Sequence, residues 1–260
     1  MMFGGEFVSG IDMVDISLWT FTLFFFGLIF YLRREDRREG YPLELDTTGK
    51  AEDSGVFWHA PKKTFNLPHN RGTVSAPDGS RDNRNHALAR TAVWPGAPYQ
   101  PTGDAMRDGV GPASYAERED IPDLTDDGRN RIAPFRLGDG FEVAKNDADP
   151  RGMTVYGGDG KPAGTVVDLW VDRSESLIRY LEVNVGSQEM PSHVLLPVPF
   201  ANVNARRRRV NVHAIFAEHF SGVPKTKAPD SVTRLEEDKI AGYYGGGTLY
   251  AAPARTEPLA

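Results

Sequence analysis

Apolar and polar positions divide this chain into three stretches. Near the start, Ile16–Leu32 reads ISLWTFTLFFFGLIFYL without a charge, and the block RREDRRE (Arg33–Glu39) follows at once. At about 1.5 Å of rise per residue the run covers roughly 25 Å, near the lower limit for a hydrocarbon core of about 30 Å. Met13 and Val14 lengthen it a little. The pattern predicts one membrane-spanning helix, with Trp19, Tyr31 and Tyr41 placed for headgroup level. The second stretch, residues 40 to about 105, is rich in Pro, Gly, Asn and Asp, as in NLPHNRGT and WPGAPYQPTGD, and shows no sustained period. Phe57, Trp58, Phe65, Leu67, Trp94 and Tyr99 are too many large apolar groups for a plain tether. That composition predicts an extended segment ordered by a partner.

In the third stretch, from about 135 onward, strand patterns appear. GTVVDLWVD (Gly164–Asp172) alternates, with Val167, Leu169 and Val171 on one face and Val166, Asp168 and Trp170 on the other. A polar RSES turn leads into LIRYLEVNVG (Leu177–Gly186). HVLLPVPFANVNA and RRVNVHAI read as two more strands joined across Arg206–Arg209. Short strands broken by turns predict a small antiparallel barrel or curled sheet. SVTRLEEDKIAGYY (Ser231–Tyr244) predicts a helix capped by Ser231 and stopped by Gly245, Gly246 and Gly247.

Charge placement orients the first helix. The fifteen residues before the run carry Glu6, Asp12 and Asp15 and no Lys or Arg, whereas Arg33, Arg34, Arg37 and Arg38 follow it. The positive-inside rule then sets the N-terminus outside and the rest in the cytoplasm. A signal peptide would need a basic start and a small-residue cleavage site. Each juxtamembrane Arg contributes about 1 kcal/mol beside anionic lipid, opposed by Glu35, Asp36 and Glu39. A net charge of −6 gives no bulk drive toward nucleic acid, and the lack of Cys excludes disulfides and thiolate metal sites.

Phosphate-loop, dinucleotide, H-E-x-x-H and G-x-S-x-G motifs are all absent from the sequence. His59, His69, His86, His193, His213 and His219 form no familiar metal-ligand pair, and His213 and His219 read as surface or capping residues. Arg206–Arg209 reads as a solvated hairpin turn, with lipid headgroups or an acidic partner as the other use. One acidic group stands out. Asp172 and Glu175 flank a tight turn, Arg179 follows Glu175 by four residues, and Asp168 precedes Asp172 by four. Carboxylates gathered by such a turn raise each other's proton affinity, and partial burial raises it further.

Several strings in order, FGLIFYL, REGYPLE, KTFNLPH, ALARTAV, PTGDAMRDGVGPASY, VVDLWVD, RYLEV, LEEDKI, GYYGGG and LYAAP, give the chain a resemblance to the H subunit of purple-bacterial photosynthetic reaction centres. The likeness covers nearly the whole chain; the first ten or so residues, 136–160 and the C-terminal tail match poorly. It implies a single N-terminal transmembrane helix plus a mainly β cytoplasmic domain of the PRC-barrel type with a short C-terminal helix. Its implied parts are a periplasmic tail (1–12), a membrane helix (13–34), a membrane-surface linker on partner subunits (35–105), the cytoplasmic domain (106–250) and a tail (251–260). The implied place is a bacterial inner, intracytoplasmic or chromatophore membrane, single-pass, with the N-terminus periplasmic. The implied partners are the L and M subunits, membrane lipids and the surrounding light-harvesting 1 antenna, with no nucleic acid. The H subunit of this family is no enzyme and binds no cofactor itself. The bacteriochlorophyll, bacteriopheophytin, quinones, carotenoid and non-haem iron belong to L and M.

The resemblance also assigns residues. Glu175 matches the family's interior proton-relay Glu, Asp172 the Asp ending the W-V-D strand, and Arg179 the basic residue near it. Tyr31 and Tyr41 match the membrane boundary, where lipid contacts are expected, as they are for the juxtamembrane Arg33 and Arg34. The chain departs from the family at PDLTDDGRNR (Pro122–Arg131), where Asp127 and Arg129 stand at two surface His positions and Thr125 replaces an Asp. Arg accepts no proton, so the expected proton uptake point is Asp126 or Asp127, the latter with a raised pKa, with entry elsewhere as the other reading. A second reading is a membrane-tethered PRC-barrel module for RNA or ribosomal protein, disfavoured by the net charge. A third is a single-pass membrane enzyme using Asp172 and Glu175, which lacks a nucleophile, metal site or phosphate loop.

Overall fold

The computed structural model describes residues 10–41, 43–45, 47–50, 59–80, 82–138, 140–187 and 189–256. Phe57, Trp58 and most of the N-terminal tail lie outside them. The chain forms two compact units, residues 1–83 with 93–96, and residues 84–92 with 97–260.

The first unit is built on α1 (Met13–Glu35). Asp12 caps it, accepting from the backbone N–H of Val14 (2.8 Å) and Asp15 (2.9 Å), while the Asp15 carboxylate accepts from Asp12 N–H. This reciprocal pairing satisfies donors that a helix start leaves unpaired. No residue of α1 is buried, and Leu23, Phe24 and Phe26 stand more than half exposed. A helix of this length and composition suffices to cross a membrane. At its foot Arg38 is buried: it ion-pairs with Glu35 (2.8 Å) and donates to the carbonyls of Pro61 (2.6 Å) and Ala76 (2.8 Å). Lys63 reaches the same Glu35 at 2.8 Å. Two carbonyls and a carboxylate therefore hold Arg38 against β1 (Lys63–Asn66) and β2 (Thr73–Ala76). This fixes the end of the helix to the chain that follows it.

The linker expected to lack regular structure contains two short antiparallel hairpins. One is β1–β2, and the other pairs β3 (Leu88–Arg90) with β4 (Tyr99–Pro101). Strands of three or four residues are too short to register as a period.

The second unit is a curled sheet of seven strands. Its path runs β10 (Asn202–Asn204), β11 (Arg209–Asn211), β6 (Thr154–Tyr156), β7 (Pro162–Asp172), β8 (Leu177–Asn184) and β9 (His193–Pro197), with β5 (Ile132–Pro134) added to β7. The β11–β6 pairing is parallel and the others antiparallel. After the short helix α2 (Ala105–Asp108), the long helix is α3 (Arg234–Tyr250), and Trp170, Leu169, Leu196, Val183 and Val210 fill the core with its Ile240 and Tyr244.

Strict alternation along β7 fails. Val167 is exposed while Leu169 and Val171 are buried, and Val166 and Trp170 are buried too. Register shifts at Val166/Asp168 and Trp170/Val171 bend the strand, and a bulge re-aims the side chains after it. The segment read as one strand from His193 breaks at a 3-10 turn, Val198–Phe200. Pro197 and Pro199 flank and enter that turn, and neither offers a ladder N–H.

The last helix departs from expectation at both ends. Thr233, not Ser231, caps it: its hydroxyl accepts from Glu236 N–H (3.1 Å), and the Glu236 carboxylate accepts from Thr233 N–H (2.9 Å). Gly245, Gly246 and Gly247 do not stop it; α3 runs through them to Tyr250. They are packing residues instead. A Cβ on Gly246 would lie 2.5 Å from the Ala113 Cβ, and one on Gly242 would lie 2.7 Å from the Ala113 carbonyl oxygen. Each helical glycine costs about 1 kcal/mol of propensity, and here it permits backbone approach.

Candidate functional site

Asp172 ends β7 with 1 % of its surface exposed. One carboxylate oxygen accepts from the backbone N–H of Ser174 (3.0 Å) and Glu175 (3.1 Å), which folds the turn back on itself. The other accepts from Arg131 Nε (3.0 Å) and Arg179 Nη2 (3.1 Å). Glu175, half exposed at the turn, pairs with the same two guanidiniums: Arg131 through its Nη2 at 2.6 Å, and Arg179 at 3.0 Å through the Nη2 that also reaches Asp172. Asp123 adds a third carboxylate at 3.5 Å from Arg131.

The turn thus brings together the three residues the sequence pointed to, Asp172, Glu175 and Arg179, and adds Arg131. The sequence offered one clue to Arg131, its place directly after the departed DDGRN stretch. The electrostatics differ from expectation. Burial pushes the Asp172 carboxyl up, but Arg131, the Glu175 N–H and Arg179 outweigh it, so its pKa lies below the usual value. Arg131 is correspondingly raised, chiefly by its bonds to Asp172. Two cations set between the carboxylates replace the mutual repulsion that carboxylates alone would feel.

Asp168 does not join this cluster. It faces Arg136, whose Nη1 lies 3.1 Å from Asp168 and 2.5 Å from Glu182. Glu182 is 4 % exposed and also accepts from Trp170 Nε1 (2.8 Å), with the His193 ring Nδ1 at 2.7 Å. This second polar group lines an open cavity of 760 Å³. Sequence reading missed it, since its members come from β7, β8, β9 and the turn after β5.

Asp127 and Asp126 lie in the exposed turn preceding Arg131. The Thr125 hydroxyl and Arg129 Nε (2.6 Å) both donate to Asp127, and they hold its pKa below the usual value. Proton uptake at Asp127 called for a raised pKa, and the direction here is the opposite, since Thr125 and Arg129 stabilise the anion. Asp126 is exposed. His219 does cap, its Nδ1 accepting from Phe216 N–H at 3.1 Å. Arg206–Arg209 forms the β10–β11 turn and the start of β11.

At the foot of α1, Tyr31 lies under the Lys63 ammonium (5.8 Å), Arg34 over Phe30 (5.8 Å), and Arg37 over Tyr41 (5.4 Å). Arg33 pairs loosely with Asp36 at 3.8 Å. Among the described residues no group of three or more His, Asp or Glu side chains is placed to hold a metal ion.

Residues 5–137 match the N-terminal region of the photosynthetic reaction centre H chain. The chain belongs to the reaction centre H-chain family. Residues 142–218 match the PRC-barrel domain, in accord with the curled sheet. The H-chain assignment carries association with a reaction-centre core and agrees with a subunit anchored by α1. The two matched segments meet in the cluster itself: Arg131 comes from the H-chain region, and Asp172, Glu175 and Arg179 come from the PRC-barrel domain.

Proposed function

We propose that this H chain caps the cytoplasmic, quinone-side face of the L and M subunits, stabilises the complex and helps pass protons toward the secondary quinone during light-driven electron transfer. In this reading α1 spans a bacterial inner or chromatophore membrane with the N-terminus periplasmic. Residues 35–105 lie along L and M, the domain from 106 to 250 is cytoplasmic, and a light-harvesting 1 antenna surrounds the complex. Lipids contact Tyr31, Tyr41, Arg33 and Arg34. The pigments, quinones and non-haem iron belong to L and M, and this chain catalyses no reaction of its own.

The observation that carries the relay is the half-exposed Glu175 held on a buried Asp172 by two shared guanidiniums. Reduction of a quinone consumes protons at a site from which bulk water is kept out, so protons reach it along fixed polar groups and ordered water. Arg131 and Arg179 keep their own protons. They set the position of Glu175, whose outward half is free to exchange a proton with a partner's surface. Asp172, held as an anion, anchors both guanidiniums and does not itself exchange.

Glu175→Gln keeps the size of the side chain and removes the exchangeable proton. Flash kinetics on the intact complex should show primary charge separation unchanged. The proton-coupled second electron transfer should slow by up to about a hundredfold, the lower range for a positioned acid–base group. An unaltered second step would remove Glu175 from the route.

A further inference from the structure

Beside the Asp172 cluster, and outside both family-matched segments, α3 contributes a carboxylate that the relay described above does not use. Glu237 lines an open cavity of 340 Å³ together with Asp123, Arg131, Asp172, Arg179 and Tyr180. At about 30 Å³ per molecule that volume has room for several waters. The Tyr180 hydroxyl, from a residue 6 % exposed, donates to Glu237 Oε2 at 2.8 Å. Among the described residues Glu237 has no ion-pair partner, in contrast to Asp172 across the same cavity and to Glu175, which pairs with the cavity-lining Arg131 and Arg179.

We propose that Glu237, positioned by Tyr180, is the proton-holding carboxyl of this cavity, taking a proton from cavity water and releasing it toward the Glu175 carboxylate. The inference rests on the relay reading of Glu175. The transfer is balanced: an O–H bond forms on Glu237 as one breaks in hydrated proton, and the reverse exchange delivers that proton to Glu175. No oxidant or reductant takes part.

The charged surroundings support this. Burial pushes the Glu237 carboxyl above its usual value; the Tyr180 hydrogen bond draws it down, Asp123 raises it, Arg179 lowers it and Asp238 raises it. Asp172 and Arg131 complete the set of charges facing the cavity. Within one cavity the lower-pKa carboxyl is fixed by cations, and the higher-pKa carboxyl is not.

The test is an infrared pH titration of the intact complex alongside flash kinetics, in wild type, E237Q, Y180F and E175Q. The Gln amide accepts the Tyr180 hydrogen bond, so E237Q should assemble normally. Wild type should show a protonated-carboxyl band that titrates above the ordinary glutamate range and vanishes in E237Q. In Y180F the band should persist with its midpoint moved upward, because the anion has lost a donor. The second electron transfer should slow several-fold in E237Q. Identical wild-type and E237Q spectra would overturn the proposal. So would loss of the band with flash rates unchanged, which would make Glu237 merely structural. A slow E237Q beside a normal E175Q would leave Glu237 standing and overturn the route through Glu175.

Discussion

Two polar clusters sit on the same pair of strands, and they use their charges differently. At the turn joining β7 to β8, Asp172 and Glu175 share Arg131 and Arg179, two guanidiniums for two carboxylates. Further along the same strands, Asp168 and Glu182 share the single guanidinium of Arg136, helped by Trp170 and His193. The first cluster has an exposed carboxylate at its rim. The second has both carboxylates buried, at 7 % and 4 % exposure, and its exposed members are the cation and the imidazole. A carboxylate on the outside can exchange protons with a partner. A carboxylate sealed beneath its counter-ion holds the sheet together. The contrast supports the proton passage proposed for the turn and gives the sheet face a structural part.

Removing Arg136 should give the largest effect. Arg136→Met leaves Asp168 and Glu182 buried with no cation between them. Breaking a buried pair costs about 3 to 5 kcal/mol; the partial exposure of Arg136 points to about 3. Denaturant unfolding of the purified subunit in detergent measures it. A loss as small as that of an ordinary surface substitution would show that the sheet-face cluster is not structural. Flash kinetics of assembled R136M complexes should match wild type, since the proposed proton route passes elsewhere.

Asp172→Asn should come next, at about 2 kcal/mol, the range for hydrogen bonds to charged groups. The sign of its pH dependence follows from the lowered pKa of Asp172. The native state favours the anion, so the stabilisation is full above the unfolded value of about 3.9 and fades as pH falls through the native one. The gap between D172N and wild type should be wide at neutral pH and close in strong acid. Glu237 runs the opposite way. With its native pKa raised, its contribution is greatest in acid and declines as pH rises from the ordinary glutamate value through the native one. E237Q should therefore gain on wild type with rising pH over that window, and a fixed offset would contradict the raised value.

Sequence patterns exposed one of these clusters and hid the other for a physical reason. Asp172, Glu175 and Arg179 lie within eight positions across one turn, so local spacing alone brings them together. Arg136, Glu182 and His193 meet only because β9 pairs with β8 and the turn after β5 folds over them. Spacing groups Asp168 with Asp172 on a regular strand, but the register shift at Trp170/Val171 lies between them. The apolar run of α1 was legible because nothing but length and hydrophobicity decides it. The glycines after Tyr244 mislead because their helical role depends on chain distant in sequence: Gly245 and Gly246 meet Pro112 and Ala113, and Gly247 meets Ala214 and Ile215. The hairpins of the linker were too short to read.

His193→Gln should give the smallest effect and the most pointed test of the comparison. The His193 ring lies 2.7 Å from the buried Glu182 carboxylate, yet nearly half of the His193 side chain is exposed. Exposed pairs of this kind contribute roughly 0.2 to 1 kcal/mol, and a Gln amide can donate to the same oxygen. Arg136 and Trp170 already satisfy the other Glu182 oxygen. If Glu182 is a structural anion, H193Q should lower unfolding stability by less than about 1 kcal/mol and leave the second electron transfer unchanged at every pH. If H193Q slowed that step as E175Q is expected to, the sheet-face cluster would be a second proton route with His193 as its outer group. The division of labour between the two ends of β7 would then fail.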